Sequence, residues 1–271
     1  FEDVIPIPAL AAKDWSPAFA EVSGRDCRAL PNAYWMRTCV FGRPHGRVHI
    51  AMLGNSHADQ WLPALQAIAG ADELRVVTRV ASRCAAANTR QVLPTALASE
   101  RCQRWVQEAV HETARSHPDL VVMSDRISSV SRDHPLSPAE YRAYVAGYRW
   151  TLRTLADAGV RVLVVRDTPT PGDVDVPECV AENEDDPSRC DGVRSSWVLP
   201  DPTMDVVRQM HDDLITSVDL NDHICGPERC TVITGGVITY VDASHISATY
   251  SRTLGPYLGA AIKAALAGSG S

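Results

Sequence analysis

The stretch Val48-His-Ile-Ala-Met-Leu53, followed at once by Gly54-Asn-Ser-His57, decides the fold that the sequence predicts. Its first part is short, almost wholly apolar and rich in branched side chains, as expected of a strand that is covered on both faces. The glycine and asparagine that follow are typical of a tight turn. An apolar run at helical spacing then begins near Trp61. The segment therefore predicts a strand, a turn and a helix in immediate succession.

The same alternation continues along the chain. Residues 74–80, 119–124 and 160–165 are further predicted strands, and 231–234 with 237–240 predict a hairpin or a bulged strand. Helical patterns separate the strands or follow them, and they lie over residues 102–113, 137–155 and 250–265 and on the face formed by Val207, Met210, Leu214, Ile215 and Val218. Strands that alternate with helices predict an α/β fold with a mainly parallel sheet between helices.

Composition excludes several classes of protein. The 271 residues carry 26 Lys and Arg against 33 Asp and Glu, a formal net charge of −7, which argues against a nucleic-acid partner. With 45% hydrophobic residues the chain is too apolar to be disordered. Its longest apolar runs, such as 160–165, are far shorter than the roughly 20 residues of a membrane helix.

The chain divides into three parts by composition. We expect residues 1–45 to be an irregular N-terminal extension packed on the domain, 46–267 to be the catalytic domain, and 268–271 to be a linker or tail. The start at Phe1 and the Gly268-Ser-Gly-Ser271 end predict a piece of a longer protein.

Eight cysteines indicate an oxidising compartment. Their separations fall into close neighbours, so the simplest hypothesis pairs Cys27 with Cys39, Cys84 with Cys102, Cys179 with Cys190, and Cys225 with Cys230. A metal site or free thiols are the alternatives, but no Cys-x-x-Cys pair occurs and the 225–230 pair lacks the spacing of a zinc site.

Two short segments contain the residue types of a serine nucleophile and its base. Ligands bind beyond the carboxyl ends of the strands in an open parallel sheet, and Ser56 follows the first of these strands directly. Asp242 and His245 stand three residues apart before the last helix, where one can orient the other. Each signal alone also fits a capping or surface residue, with Ser56 as a helix N-cap. Together they predict a Ser-His-Asp triad.

The motifs resemble those of a known family. Gly54-Asn-Ser-His-Ala58 with Gln60-Trp-Leu-Pro-Ala-Leu65, and later Asp242-Ala-Ser-His-Ile-Ser247 with Tyr250, are similar to the SGNH (GDSL-like) hydrolase superfamily. More narrowly, they resemble the extracytoplasmic SGNH domains fused to acyltransferase family 3 membrane proteins. The resemblance implies a three-layer α/β/α sandwich in which Ser56 is the nucleophile, His245 its base and Asp242 the residue that orients the base.

The resemblance also implies a function and a setting. The domain would transfer O-acyl groups to a cell-envelope glycan through an acyl-serine, outside the cytoplasm and tethered to the membrane in the full-length protein. A membrane domain of the same natural chain would deliver the acyl donor, and no cofactor, metal or nucleic acid is implied. A free-standing secreted carbohydrate esterase and a catalytically silent glycan-binding module are the alternatives.

The sequence departs from the family pattern around the nucleophile. Asn55 stands where the family usually has Asp, and the turns after the second and third strands lack the expected Gly and Asn of the oxyanion hole. The candidate donors are the Ser56 N–H, a backbone N–H near Ser82, and the side chain of Ser124 or Arg126.

Four more residues have a predicted role near this site. His57 is expected to position the turn rather than to transfer protons. Asp125 and Asp167 also follow strands and are rivals of Asp242 for the triad acid. Trp197, in the long acidic loop, is the candidate for stacking on a sugar.

Overall fold

The computed structural model of the protein describes residues 4–17, 27–29, 36–68, 70–127 and 135–268. Within these ranges the strands are β1 (Cys27–Ala29), β2 (Met36–Gly42), β3 (Val48–Gly54), β4 (Leu74–Ala81), β5 (Leu120–Ser124), β6 (Val162–Val165), β7 (Gly192–Val193), β8 (Ile215–Val218), β9 (Arg229–Cys230), β10 (Ile233–Thr234) and β11 (Val237–Ile238). The helices are α1 (Pro8–Ala11), α2 (Ser56–Asp59), α3 (Leu62–Ala67), α4 (Ala96–Ser116), α5 (Pro138–Asp157), α6 (Val176–Glu182), α7 (Arg194–Trp197), α8 (Pro202–Met210), α9 (Ala248–Thr253) and α10 (Gly255–Ala267).

The predicted parallel sheet is confirmed. In the described part of the chain the central sheet has the strand order β1-β2-β4-β3-β5-β6-β8. Within the part of the sheet ordered β4-β3-β5-β6-β8, all neighbouring strands are parallel. β2 pairs with β4 antiparallel. The carboxyl ends of β3, β5 and β6 therefore lie side by side at one edge of the sheet, and Ser56, Asp125 and Asp167 follow those ends.

Helices cover the sheet on both faces, which gives the three layers. Successive side chains of a strand point to opposite faces, so Ile50 and Met52 pack in one core with α3 and α10. Ala51 and Leu53 pack in the other core with α4 and α5. Because β3 is buried on both faces, its sequence is continuously apolar rather than alternating.

One sequence prediction is wrong in its second half. The helix expected over residues 207–218 ends at Met210, and His211 has a φ of 48°. Residues 215–218 instead form β8, which pairs in parallel with β6. The apolar spacing at Leu214, Ile215 and Val218 fits a helix, but a left-handed residue stops the helix and the free edge of β6 accepts the short branched segment.

Two of the strands lie in the part of the chain that the sequence assigns to an extension. β1 and β2 fall within residues 1–45 and are strands of the central sheet. The sequence patterns do not predict β2. Its neighbour β1, at the edge of the sheet, is three residues long.

Three of the predicted disulfides are confirmed: Cys84–Cys102, Cys179–Cys190 and Cys225–Cys230. The fourth predicted pair is Cys27 with Cys39, which the register of β1 and β2 places opposite each other. Cys39 is disulfide-bonded, and the side chain of Cys27 is outside the described part of the structure. None of the described helices has both the length and the apolar character needed to cross a bilayer.

Trp197 does not lie open for a ligand, so the prediction that it stacks on a sugar is wrong. Its side chain is 6% exposed and contacts Tyr240 edge to face, with ring centroids 5.9 Å apart. Trp197 is the last residue of α7. Because α6 and α7 give the acidic loop regular structure, the tryptophan is buried in the core.

Candidate active site

The turn between β3 and α2 places Ser56 at the carboxyl edge of the sheet. Gly54 has a φ of 145°, and a Cβ atom there would lie 2.2 Å from the Ser124 carbonyl oxygen, so only glycine fits. The Asn55 side chain accepts a hydrogen bond from the His57 N–H at 3.0 Å, which caps α2. Its amide nitrogen donates to the Arg126 carbonyl at 2.6 Å and so ties the turn to the end of β5.

Asp125 holds this turn in place through hydrogen bonds of its carboxyl group. Its two carboxyl oxygens accept backbone N–H groups of Asn55 and Ala86, each at 2.8 Å. Burial raises the pKa of Asp125 well above its usual value, although both hydrogen bonds favour the ionised form. Asp125 therefore joins the nucleophile turn to the segment after β4, and it does not contact His245 as a triad acid would.

Ser56, His245 and Asp242 form one chain of hydrogen bonds. His245 Nε2 lies 2.8 Å from Ser56 Oγ, and His245 Nδ1 lies 2.8 Å from Asp242 Oδ2. A carboxylate only accepts, so Nδ1 carries the proton and Nε2 is left to accept the serine hydroxyl. The structure thus brings together three residues that are up to 189 positions apart.

Asp242 is held as an anion. Its other oxygen, Oδ1, accepts the backbone N–H groups of Ser244 at 2.7 Å and His245 at 2.6 Å. Burial by itself would raise the pKa of Asp242, but the hydrogen bonds and the charge of His245 outweigh burial and lower it to about 2. An anion at this position stabilises the imidazolium that His245 becomes when it accepts a proton.

A second histidine and carboxylate stand beside the first pair. His57 Nδ1 lies 2.6 Å from Asp167 Oδ1, and the ring centroids of His57 and His245 are 4.7 Å apart. Burial lowers the pKa of His57, and it outweighs the attraction of Asp167. His57 is therefore uncharged near neutral pH, and Asp167, a predicted rival of Asp242, binds His57 instead of His245.

Gln60 connects the two segments that contain Ser56 and His245. Its Oε1 accepts the Ile246 N–H at 3.0 Å, and its Nε2 donates to Thr168 Oγ1 at 3.3 Å. Sequence reasoning named Gln60 as part of a motif but did not foresee this role. Only its position four residues after Ser56, on the helical run, could have indicated it.

Comparison with known proteins identifies the family of the chain. Residues 26–260 match the family described as SGNH domain (fused to AT3 domains). The chain belongs to this family. The SGNH domain is also similar in fold to the periplasmic domain of a lipopolysaccharide acetyltransferase of Salmonella ser. Paratyphi A, with a TM-score of 0.59 and 12% identity over 81% of this chain and 85% of that chain. A comparison with curated proteins found no match.

The candidate oxyanion donors of this SGNH domain lie at the same edge but differ in environment. Ser82 is partly exposed in the turn after β4. Ser124 is buried at the end of β5, and its hydroxyl has no hydrogen-bond partner among the described residues. The charge of Arg126 acts on His57. An oxyanion donor faces the carbonyl oxygen of the substrate rather than Ser56 Oγ, so the role of all three stays a prediction.

A cleft of the SGNH domain opens between the ends of β5 and β6. Its open space is about 430 Å³, with the solvent at its mouth included, and Arg126, Asp167, Thr170 and Asp201 are among the residues that line it. Burial raises the pKa of Asp201. In the described part of the chain no cluster of His, Cys, Asp and Glu has the arrangement of a metal site.

Proposed function

We propose that this SGNH domain is an extracytoplasmic, serine-dependent O-acyltransferase that modifies a cell-envelope glycan through an acyl-serine, and that it is a weak esterase in isolation. The observation that carries the proposal is the unbroken chain of hydrogen bonds from Ser56 Oγ through His245 to Asp242, with 2.8 Å at both imidazole contacts. The family's fusion to AT3 domains supports a membrane acyltransferase domain as the source of the acyl group. The disulfides support an oxidising compartment.

The first half of the reaction forms the acyl-serine. Ser56 Oγ attacks the acyl carbonyl carbon of the donor while His245 Nε2 takes the hydroxyl proton. The carbonyl oxygen becomes an oxyanion, for which the Ser56 N–H is the first candidate donor. The tetrahedral intermediate then collapses, His245 returns the proton to the leaving group, and the acyl group stays on Ser56.

The second half repeats the same steps with another nucleophile. A sugar hydroxyl attacks the acyl-serine, His245 takes its proton, and the collapse of the second tetrahedral intermediate frees Ser56, which recovers the proton from His245. Water in place of the sugar gives hydrolysis. We place the acceptor in the cleft lined by Asp167 and Thr170, because Asp167 is hydrogen-bonded to His57, which packs on His245.

Hydrolysis of a small activated acetyl ester tests the chemistry. We expect Ser56→Ala and His245→Ala to abolish hydrolysis, whereas the exposed control variants Ser188→Ala and His45→Ala keep the wild-type rate. A burst of one acyl group per protein, followed by mass spectrometry of the peptide that contains Ser56, would locate the intermediate. Wild-type activity in Ser56→Ala would overturn the proposal, and an inactive wild-type protein would favour a silent glycan-binding module.

Transfer is separated from hydrolysis by adding an acceptor. We expect O-acetylated oligosaccharide from cell-envelope glycan to accumulate with the wild-type protein at the expense of free acetate. Acetate alone, at a rate that no glycan changes, would indicate a carbohydrate esterase instead.

A further inference from the structure

A short N-terminal segment, residues 14–16, reaches the candidate active site from outside the family match, which begins at residue 26. We call it the N-terminal strap. Asp14 accepts the backbone N–H of Ala248 through its carbonyl at 2.7 Å and that of Thr249 through its carboxylate at 2.8 Å. Ser16 Oγ donates to the carbonyl of Asp59 at 2.8 Å. The strap is therefore fixed both to α9, which follows His245, and to α2, which begins with Ser56.

Between these two anchors Trp15 packs against the base. The centroids of the Trp15 and His245 rings are 5.4 Å apart, with the planes tilted by 56°. The His57 ring also contacts His245, with centroids 4.7 Å apart. The His245 side chain is only 16% exposed, so Trp15 and His57 pack on a base that is largely sheltered from water.

The two ring neighbours differ in what they do when His245 becomes charged. An indole attracts a cation through the electron-rich face of its ring, and the attraction grows as water is excluded. His57 is buried and uncharged, so it does not repel an imidazolium. Two acids lie near this pair of rings within the described residues: Asp242 is hydrogen-bonded to His245, and Asp167 is hydrogen-bonded to His57.

We propose that Trp15 is a positioning residue of this SGNH domain, whose indole keeps the His245 imidazole against Ser56 and stabilises its protonated form during acyl transfer. The inference rests on the proposed function, since it assigns a role in the reaction that Ser56 and His245 perform. It adds a residue outside the family match to that site.

The pH profile of kcat/KM for an activated ester distinguishes this role from mere packing. Trp15→Leu fills the space but removes the ring, and we expect the plateau to fall by about 2- to 30-fold, mainly through kcat. The free variant also loses stabilisation of the imidazolium, so the acid limb of its kcat/KM profile moves to lower pH by about 0.4 to 0.7 unit. The kcat/KM values of the wild-type protein and of Trp15→Leu therefore approach each other at low pH. Trp15→Phe, which keeps an aromatic face, should restore most of the plateau.

Trp150 offers a matched control, since it packs on His111 with centroids 5.5 Å apart and is far from the triad in the fold. Trp150→Leu should leave the pH profile unchanged. Trp15→Met is a second apolar replacement, so the comparison does not depend on the folding of one variant. Thermal melts of all four variants show which are folded.

Two results would overturn the inference: a wild-type profile in Trp15→Leu and Trp15→Met, or equal damage in Trp15→Phe and Trp15→Leu. Either result leaves the proposed function intact if Ser56→Ala is inactive. Activity in Ser56→Ala would instead remove the proposed function itself.

Discussion

The imidazoles of His57 and His245 lie 4.7 Å apart, centroid to centroid, and each is hydrogen-bonded through Nδ1 to its own aspartate. The two pairs look alike but have different environments. His57 is buried and has a lowered pKa, whereas His245 reaches a serine hydroxyl. The contrast favours His245 over His57 as the base of the proposed reaction.

Replacement of each of the two aspartates by asparagine tests the choice of His245. Asp242→Asn should lower kcat by about 10³- to 10⁴-fold, because an amide no longer fixes the tautomer of the base. Asp167→Asn, the matched change on the other pair, should cost less than about 10-fold, since the Asp167 carboxylate is hydrogen-bonded to His57 and to the Thr168 N–H and not to His245. Ester hydrolysis measured near neutral pH checks both. The opposite order of effects would assign the triad acid to Asp167.

The low pKa of Asp242 predicts a loss of stability in acid. The folded value is about 2, below the ordinary 3.8, so the carboxylate stabilises the fold above the unfolded value. This contribution disappears as pH falls from about 4 to about 2. Denaturant unfolding should show a gap between the wild-type protein and Asp242→Asn that is constant above this window and closes within it. A gap that persists at the acid end contradicts the argument.

Asp125 predicts a pH dependence of the opposite sign. Burial raises its folded pKa, so its contribution is complete below the ordinary 3.8 and is lost as pH rises through the raised value. The wild-type protein should therefore lose stability relative to Asp125→Asn as pH rises from the ordinary 3.8 through the raised value. The variant should nonetheless be less active, because an amide oxygen can satisfy only one of the two N–H groups that Asp125 holds. A pH-independent difference in unfolding free energy would show that the pKa of Asp125 is not raised in the folded protein.

Removal of the Cys84–Cys102 disulfide should destabilise the protein more than removal of Cys225–Cys230. The loops span 18 and 5 positions, and loop entropy predicts losses of about 3 and about 2 kcal/mol in the double alanine variants. The first bridge also lies next to Ala86, which donates to Asp125. Urea unfolding of both variants, together with their ester hydrolysis, checks the order. A larger loss for the shorter loop would show that packing outweighs loop entropy.

The sequence predicts the parts of the site that neighbouring residues determine. Gly54 and Asn55 specify a turn, and Asp242 reaches His245 within one turn, so local spacing indicates them. The confirmed strands β3 to β6 are likewise short runs of apolar residues. The contact of His57 with Asp167 is different, because 110 positions separate the two and nothing local to either one indicates it.

Other features depend on what the fold places opposite a segment. Leu214 to Val218 fits a helix by spacing, and only the free edge of β6 makes it a strand. Trp197 stands in a polar stretch of sequence, and its burial depends on α6, α7 and Tyr240, which the local sequence does not indicate. Trp15 has no motif around it, so its contact with His245 follows from tertiary structure alone.

The separation of 189 positions between nucleophile and base has a consequence for biosynthesis. A chain made from its N-terminus exposes Ser56 early, when the residues that activate it have not yet been synthesised. The hydroxyl then has only its ordinary reactivity. If Ser56 and His245 act as proposed, acyl transfer would begin when the turn that contains Asp242 and His245 docks against α2, and the domain would be inert toward esters until its last helices are in place.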